Sequence, residues 1–382
     1  LELLDRGLLP TVPGKGSVGA SGDLAQLASL ALPLVGEGRI NGRPAPEVLR
    51  AAGLAPLTLA PKEGLALLNG TEPMQALLAF SVYDAGVLVR AADVAAATSV
   101  EALLGTDRPY DERVQRLRPH PGQLASAANL RALLRDSPLL ASHRHSRHAV
   151  QDAYCLRCAP QVHGAVRDVL AHAGRTLATE LGTVVDNPVV TGDGEVLTTG
   201  NFHGEPLAFA ADMAAMALAE LGSISERRTG RLLDPASSRG LPPFLSPHSG
   251  RNCGYMLAQY TAAALVSENK VLAHPAGVDT IPTSGNQEDH VSMGWHAVRK
   301  LREVVANVRS VLAVEVVCAT QGVDLRQEVA PPGPAVEAVR TRLRKDVAFL
   351  DEDWEVAPRL AAAAGLLEEL VAAAEGVTGP LE

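Results

Sequence analysis

Aromatic side chains are scarce in this sequence: five Phe, five Tyr and two Trp make up 3% of its 382 residues. With alanine and leucine abundant, that scarcity favours tightly packed helices over a β-sandwich. Cysteine is scarcer still, and four residues make no disulfide framework, so a reducing cytoplasm is the expected compartment. Positive charge is in deficit, with 34 Lys and Arg against 43 Asp and Glu and a net charge of −9. Without a long basic tract, no nucleic-acid partner is expected. No uninterrupted apolar run reaches membrane-spanning length and no secretory signal opens the chain, so no membrane role is expected either. Internal repeats are missing, as is any Pro-, Gly- and Ser-rich linker. One domain over residues 1–382 is therefore expected. Its parts are residues 1–200, which carry the candidate site, a helical bundle over 201–325, and acidic C-terminal helices over 326–382.

What is present is helix. A short apolar helix is expected over Leu24–Leu34 with Asp23 as its N-cap. A small hairpin is expected around Asn41-Gly42, a helical stretch over Lys62–Leu68, and a long apolar helix from Glu72 to about Leu104. The segment 131–149 is polar and reads as irregular. Helix returns over Gln161–Leu181, and Val189-Val190 and Val196-Leu197 flank a Gly-Asp-Gly turn as a second hairpin. Three long helices follow, over Pro206–Arg228, Tyr255–Ala273 and Asp289–Gly322. In the last, Val298, Leu301, Val305, Val308 and Leu312 recur at alternating spacings of three and four, the pattern of a bundle seam. Past Ser310 it is apolar nearly all round. The fold class is all-α, a multi-helix bundle with minor hairpins, and its apolar helices imply contacts between copies of the chain.

The most distinctive segment is Gly14-Lys-Gly-Ser-Val-Gly-Ala-Ser-Gly-Asp23. Gly14, Gly16 and Gly19 match the dinucleotide pattern G-x-G-x-x-G, but Pro10 and Pro13 argue against the strand that pattern requires, and no alternation of strand and helix follows. The P-loop ending is missing too, so no nucleotide is expected. By itself the run reads as a glycine turn. Its Ala20-Ser21-Gly22 step has a further property. Gly22 lacks a Cβ, so its amide nitrogen can approach the Ala20 carbonyl carbon. Ring closure, with loss of water there and from Ser21, leaves a methylidene group, an electrophile that no standard side chain supplies.

Four polar islands interrupt the apolar scaffold near helix ends, where unpaired backbone groups assist recognition. They are Leu67-Leu-Asn69-Gly-Thr71, Gln151-Asp-Ala-Tyr154-Cys155-Leu-Arg157-Cys158, Gly200-Asn-Phe202-His203-Gly-Glu205-Pro206 and Gly285-Asn-Gln-Glu288-Asp-His290-Val-Ser-Met293. Each has an ordinary structural reading. Asn69 caps a helix, Tyr154 and Arg157 form a surface pair, Phe202 belongs to a core, and Glu288 and Asp289 face a helix dipole. Cys155-x-x-Cys158, with His143, His145 and His148 upstream, suggests zinc. No second cysteine pair completes such a site, and Arg157 lies between the two thiols, so no metal is expected.

Taken together and in this order, the islands and the Ala-Ser-Gly step resemble the histidine and aromatic amino acid ammonia-lyases from about Thr11 to Leu325. The resemblance implies elimination of ammonia from L-histidine to give trans-urocanate, with a 4-methylidene-imidazol-5-one (MIO) group formed from Ala20, Ser21 and Gly22. It implies that Arg157 binds the substrate carboxylate, that Asn69 and Tyr154 bond the amine or the MIO oxygen, and that Gln151 supports them. Phe202 is expected beside the MIO ring, Asp23 as the residue orienting the tripeptide, and Glu288 facing the substrate imidazole. Glu288 favours histidine because the phenylalanine lyases lack an acid there. Cys155 is a small departure, since serine is common at its place. The resemblance also implies a homotetramer with shared active sites. The alternatives are a tyrosine or phenylalanine lyase or aminomutase, or an inactive fragment that only assembles with other subunits. Leu1 is not an initiator methionine, and the family's tyrosine base lies upstream of the Ala-Ser-Gly, so the chain is expected to lack a true N-terminus.

Overall fold

The computed structural model describes residues 1–146 and 150–382. Apart from two two-stranded hairpins, its regular structure is helical. The hairpins fall where the turn residues predict them. Arg39–Ile40 pairs with Arg43–Pro44 around Asn41-Gly42, and Val189–Val190 pairs with Val196–Leu197. The chain divides into two compact units. One comprises residues 1–80, 173–213 and 275–301; the other comprises 81–172, 214–274 and 302–382.

The first unit holds the glycine-rich turn and the loops around it. A small apolar cluster of Ile40, Ala45, Val48 and Leu49, joined by Leu3, Leu8 and Leu54, anchors its N-terminal part. The helix after the turn spans Leu24–Ala31 and continues as a tight 3-10 turn over Leu32–Val35. Asp23 stands at its N-cap position but makes no side-chain bond to that helix. The predicted stretch over 62–68 contracts to Glu63–Ala66.

The second unit is the bundle proper. It takes most of Glu72–Ala102 and of Gly294–Asp324, which at 31 residues each run about 46 Å. It also holds all of Met256–Leu272 and the C-terminal helices Pro334–Leu343, Ala357–Gly365 and Leu367–Thr378. The predicted seam is buried at every position: Val298, Leu301, Val305, Val308 and Leu312 are no more than 2% exposed. Beyond Ser310 the helix is buried on all faces as far as Val323. Its start differs from expectation. Residues 289–293 are not helical, because Met293 takes a left-handed backbone (φ +53°) that interrupts any helical run before Gly294. The segment 131–146, read as irregular, contains the end of Pro121–Leu133 and the short helix Pro138–Ser142, which Ser137 caps through Leu140 N–H. The sequence reading missed both prolines as N1 residues, the position where a proline starts a helix. Among the described residues, Glu205–Leu233 is the one helix long and apolar enough to cross a membrane by length and composition. Of its most apolar window, 61% is buried inside the protein, as in a core helix.

Charged groups sit inside this apolar bundle, paired. Arg228 and Glu315 have fully buried side chains and meet in a two-pronged ion pair, with bonds of 2.5 and 2.8 Å. Ser99 donates to the same carboxylate at 2.7 Å. Arg228 also donates to the Cys155 carbonyl and to His163 Nε2, both at 3.3 Å. An arginine cannot accept, so His163 Nε2 carries the lone pair and Nδ1–H donates to Asp93 at 2.7 Å. Burial holds the His163 pKa below its usual value. Asp93 is taken down to about 2: burial opposes that shift, and the bond from His163, the Arg167 charge and Ser126 outweigh it.

Breaking one half of a buried pair leaves the other charge stranded, which costs about 3–5 kcal/mol. Arg228→Met and Glu315→Met should each destabilise the protein by that order in chemical denaturation. The double variant should be distinctly less destabilised than the sum of the two. Additive losses would show that the pair is not coupled.

Candidate active site

The predicted residues fall into two groups, one within each unit. In the first unit, the glycine run forms a tight turn in which Gly19, Ser21 and Gly22 all have left-handed backbones, with φ of +89°, +51° and +78°. For Ser21 that conformation is uncommon and must be held from outside. The restraint is a short parallel ladder. Asp23 N–H donates to Gly70 O at 2.9 Å, and Gly70 N–H donates to Ser21 O at 3.3 Å. Gly22 has to be glycine, because its Cβ would meet backbone and its φ is left-handed; at Gly70 the neighbour is a side chain that can move. A Cβ on Gly22 would overlap the Gly70 carbonyl, and a Cβ on Gly70 would overlap the Glu72 carboxylate. Gly22 N–H turns back to Gly19 O at 3.2 Å, folding the tripeptide on itself.

Asp23 locks the turn from below. Its carboxylate is fully buried and accepts from Ser17 Oγ–H at 2.7 Å and from Met74 N–H at 3.0 Å. Met74 is the third residue of helix Glu72–Ala102, so Asp23 caps that helix rather than the one it precedes. Ser17 in turn accepts from Gly19 N–H at 3.0 Å. Burial pushes the Asp23 pKa up to about 6; the Ser17 and Met74 bonds pull against that rise, and the Glu72 charge adds to it.

The remaining loops of this unit converge on the turn. Met293 N–H donates to Val18 O at 2.9 Å, and Trp295 Nε1–H donates to Gly14 O at 3.2 Å. Ser292 Oγ accepts from Gly294 N–H and leaves no space for a Cβ on Gly19. Met74 sulfur likewise fills the place of a Cβ on both Gly204 and Gly294. The turn, the loop carrying Phe202 and the loop carrying Glu288 are thus gathered around two side chains, Met74 and Ser292, that sequence reasoning did not single out. The glycines at 204 and 294, each beside a polar island, were the available signal.

Asn69 precedes Gly70 and is buried; its amide donates to Leu65 O at 3.1 Å, closing the short helix before it. Phe202 is half-buried two residues before Gly204. Glu288 is not at a helix N-terminus. It sits in a loop closed by Thr283 N–H to Glu288 O at 2.9 Å, and its carboxylate oxygen Oε2 is buried without a hydrogen-bond partner. A buried carboxylate oxygen with no donor is costly, and a ligand N–H would satisfy it.

In the second unit, Gln151, Tyr154 and Arg157 come together. Arg157 donates to Gln151 Oε1 at 2.5 Å and lies over the Tyr154 ring, 4.6 Å from its centroid. Its Nε is buried without a partner. The segment itself is pinned by the buried network, through Arg228 to Cys155 O and Tyr110 O–H to Leu156 O at 2.8 Å. Asp152 fastens its start, accepting from Thr106 N–H at 2.8 Å and from Arg239 at 2.9 Å. Cys155 and Cys158 are free thiols, and burial raises the Cys155 pKa, which disfavours a metal-binding thiolate. His143 bonds the Gly105 carbonyl at 2.7 Å, and His148 lies outside the described residues.

The aromatic amino acid lyase family model matches residues 1–345. The chain belongs to that family. It is 54% identical to a protein named histidine ammonia-lyase from Sorangium cellulosum, over 99% of this chain and 76% of that one. Among solved structures, histidine ammonia-lyase from Trypanosoma cruzi superposes with a TM-score of 0.90 at 43% identity, covering 99% of this chain and 72% of that one. A tyrosine aminomutase from Streptomyces globisporus gives 0.92 at 37% identity, covering 100% and 77%.

Asp23 provides a direct test of the turn's electrostatics. Its folded pKa of about 6 lies above the ordinary value of 3.8, so the ionised form is the one that burial penalises above pH 6. Stability should therefore rise as pH falls through 6 towards 3.8, by about 1.4 kcal/mol between pH 7.5 and pH 5. Asp23→Asn should remove that rise, and denaturation curves at pH 7.5 and 5 for both proteins would show it. The same pH slope in both proteins would assign it to other groups.

Proposed function

We propose that this protein is a carbon–nitrogen lyase that eliminates ammonia from L-histidine to give trans-urocanate. The observation that carries the choice of histidine is Glu288, whose buried Oε2 awaits a donor. An imidazole N–H supplies one, and a phenyl ring has no donor to offer. The 54% identity to a histidine ammonia-lyase over nearly the whole chain supports the same reading.

The family is known for the MIO group, and the tripeptide fits it. Ser21 and Gly22 already have the left-handed backbones of a closed turn, and there is no space for a Cβ at Gly22. Bond formation from Gly22 N to the Ala20 carbonyl carbon expels one water; loss of the Ser21 hydroxyl with its α-hydrogen expels the second. The resulting electrophile supplies the activation that an amine leaving group lacks.

The other assignments follow from side-chain chemistry. Arg157, tied to Gln151 and stacked on Tyr154, presents a guanidinium fork to the substrate carboxylate. Tyr154 and Asn69 donate to charge developing at the amine or the ring oxygen. Phe202 packs beside the tripeptide, and Asp23 holds the tripeptide's orientation through the cap to Met74. Large apolar side chains exposed on the long helices, such as Tyr83, Met216, Leu257 and Tyr260, support assembly with further copies of the chain into a homotetramer. Four free thiols suit a cytoplasmic location.

Substrate choice tests the reading. Urocanate formation from histidine should exceed deamination or amine migration on tyrosine and phenylalanine. Glu288→Gln should lower histidine turnover by more than about tenfold, or ~1.4 kcal/mol of transition-state stabilisation. A preference for tyrosine would favour the aminomutase reading, for which the Streptomyces globisporus structure is the precedent.

A further inference from the structure

Two histidines and a glutamate meet in the first unit on residues that the proposed reaction does not use. His203, Glu205 and His290 each offer one ligand atom, and the three atoms lie within 4.8 Å of one another. Among the described residues, it is this group that gathers metal-capable side chains, rather than Cys155, Cys158, His143 and His145. His203 and His290 stack with ring centroids 5.8 Å apart and planes 9° from parallel. His203 and Glu205 side chains are a little over a quarter exposed and His290 is exposed, so a cation could enter from solvent.

One bond places a ring hydrogen. His203 Nε2 lies 3.1 Å from the backbone carbonyl oxygen of His290. A carbonyl only accepts, so Nε2 carries the hydrogen and Nδ1 of the neutral ring carries the lone pair. That lone pair faces Glu205 Oε2 at 3.9 Å. A ring nitrogen and a carboxylate oxygen at that distance leave room for a bridging cation between them. A backbone carbonyl holding the far nitrogen of a ligating histidine is also the usual outer support of a metal site, setting tautomer and ring orientation together.

We propose that His203, Glu205 and His290 bind a divalent transition-metal cation of the zinc class. Two imidazoles and one carboxylate suit such a borderline ion and leave a coordination position open to water. Bonds of about 2.1 Å in tetrahedral geometry place ligand atoms about 3.4 Å apart, so each pair has to close by at most about 1.4 Å. Side-chain rotation covers that distance. The bound ion would join the Phe202–Glu205 segment to the loop that carries Glu288, fastening two sides of the proposed substrate site. The proposal departs from the sequence expectation of no metal, and it lies at a different place from the Cys-x-x-Cys.

The test is metal binding by the untagged protein, read without any activity assay. After chelator treatment, calorimetric titration with Zn²⁺ should give one site per chain. Co²⁺ should give visible absorption of four- or five-coordinate intensity, which Zn²⁺ abolishes. His203→Gln and His290→Gln should each weaken binding by more than about tenfold, beyond the lower end of effects seen for outer-support residues. Cys155→Ser with Cys158→Ser should bind as wild type does. Circular dichroism and thermal melts establish that the variants are folded. Glu205→Gln, which keeps size and helix position, is the second route should a histidine variant fail to fold. Absence of stoichiometric binding would overturn the proposal. Binding lost with the cysteines and kept without the histidines would overturn it equally.

Discussion

The backbone ladder between Ser21–Asp23 and Gly70 is the constraint on which the site depends. It holds a non-glycine residue in a left-handed conformation, with glycine required at position 22 because its Cβ place is occupied by the Gly70 carbonyl. The buried Asp23 carboxylate fastens the ladder to the N-terminus of a 31-residue helix through Met74 N–H. A tight turn of this kind loses most of its value if the chain around it can relax. Tying it to the end of a long helix denies it that freedom. The loops bearing Phe202 and Glu288 then pack against the same Met74 and Ser292, so the geometry of three separate chain segments follows from one anchored turn.

The second unit solves a different problem. Its helices bury charged groups among apolar side chains, and each such group has to find a partner there. Arg228 joins Glu315 and reaches the Cys155 carbonyl, so the same guanidinium that satisfies a buried carboxylate also positions the Tyr154–Arg157 segment. The charges of Arg228 and Glu315 lie wholly inside the protein, where ordering and pairing are inseparable. Arg157, at the rim of that region, is held by Gln151 and Tyr154 yet keeps one buried nitrogen without a partner.

Periodicity made the bundle legible in the sequence: the Val298–Leu312 seam is buried at every predicted position, and both hairpins form where Asn-Gly and Gly-Asp-Gly stand. The site was legible as a set of motifs, because glycine runs and polar islands stand out against alanine and leucine. What the sequence could not reveal was which partner each group finds. Asp23 occupies the N-cap position of one helix and caps another, since position along the chain says nothing of a helix that begins 49 residues later. Glu288 reads as a helix-start acid, but the left-handed Met293 delays the helix to Gly294. Arg228 and Glu315 lie on stretches that read as apolar on nearly every face. A charge at a core-facing position in each was the overlooked sign that they would pair.

The turn holds Ser21 and Gly22 in left-handed backbones, the arrangement from which Ala20-Ser21-Gly22 is proposed to cyclise. Mass spectrometry of the purified protein tests that step most directly, on the intact chain and on the peptide containing residues 14–23. Cyclisation with loss of two waters predicts a deficit of about 36 Da confined to that peptide, and no deficit in a folded Ser21→Ala variant. A folded wild-type chain with an unmodified tripeptide and undiminished lyase activity would contradict the account.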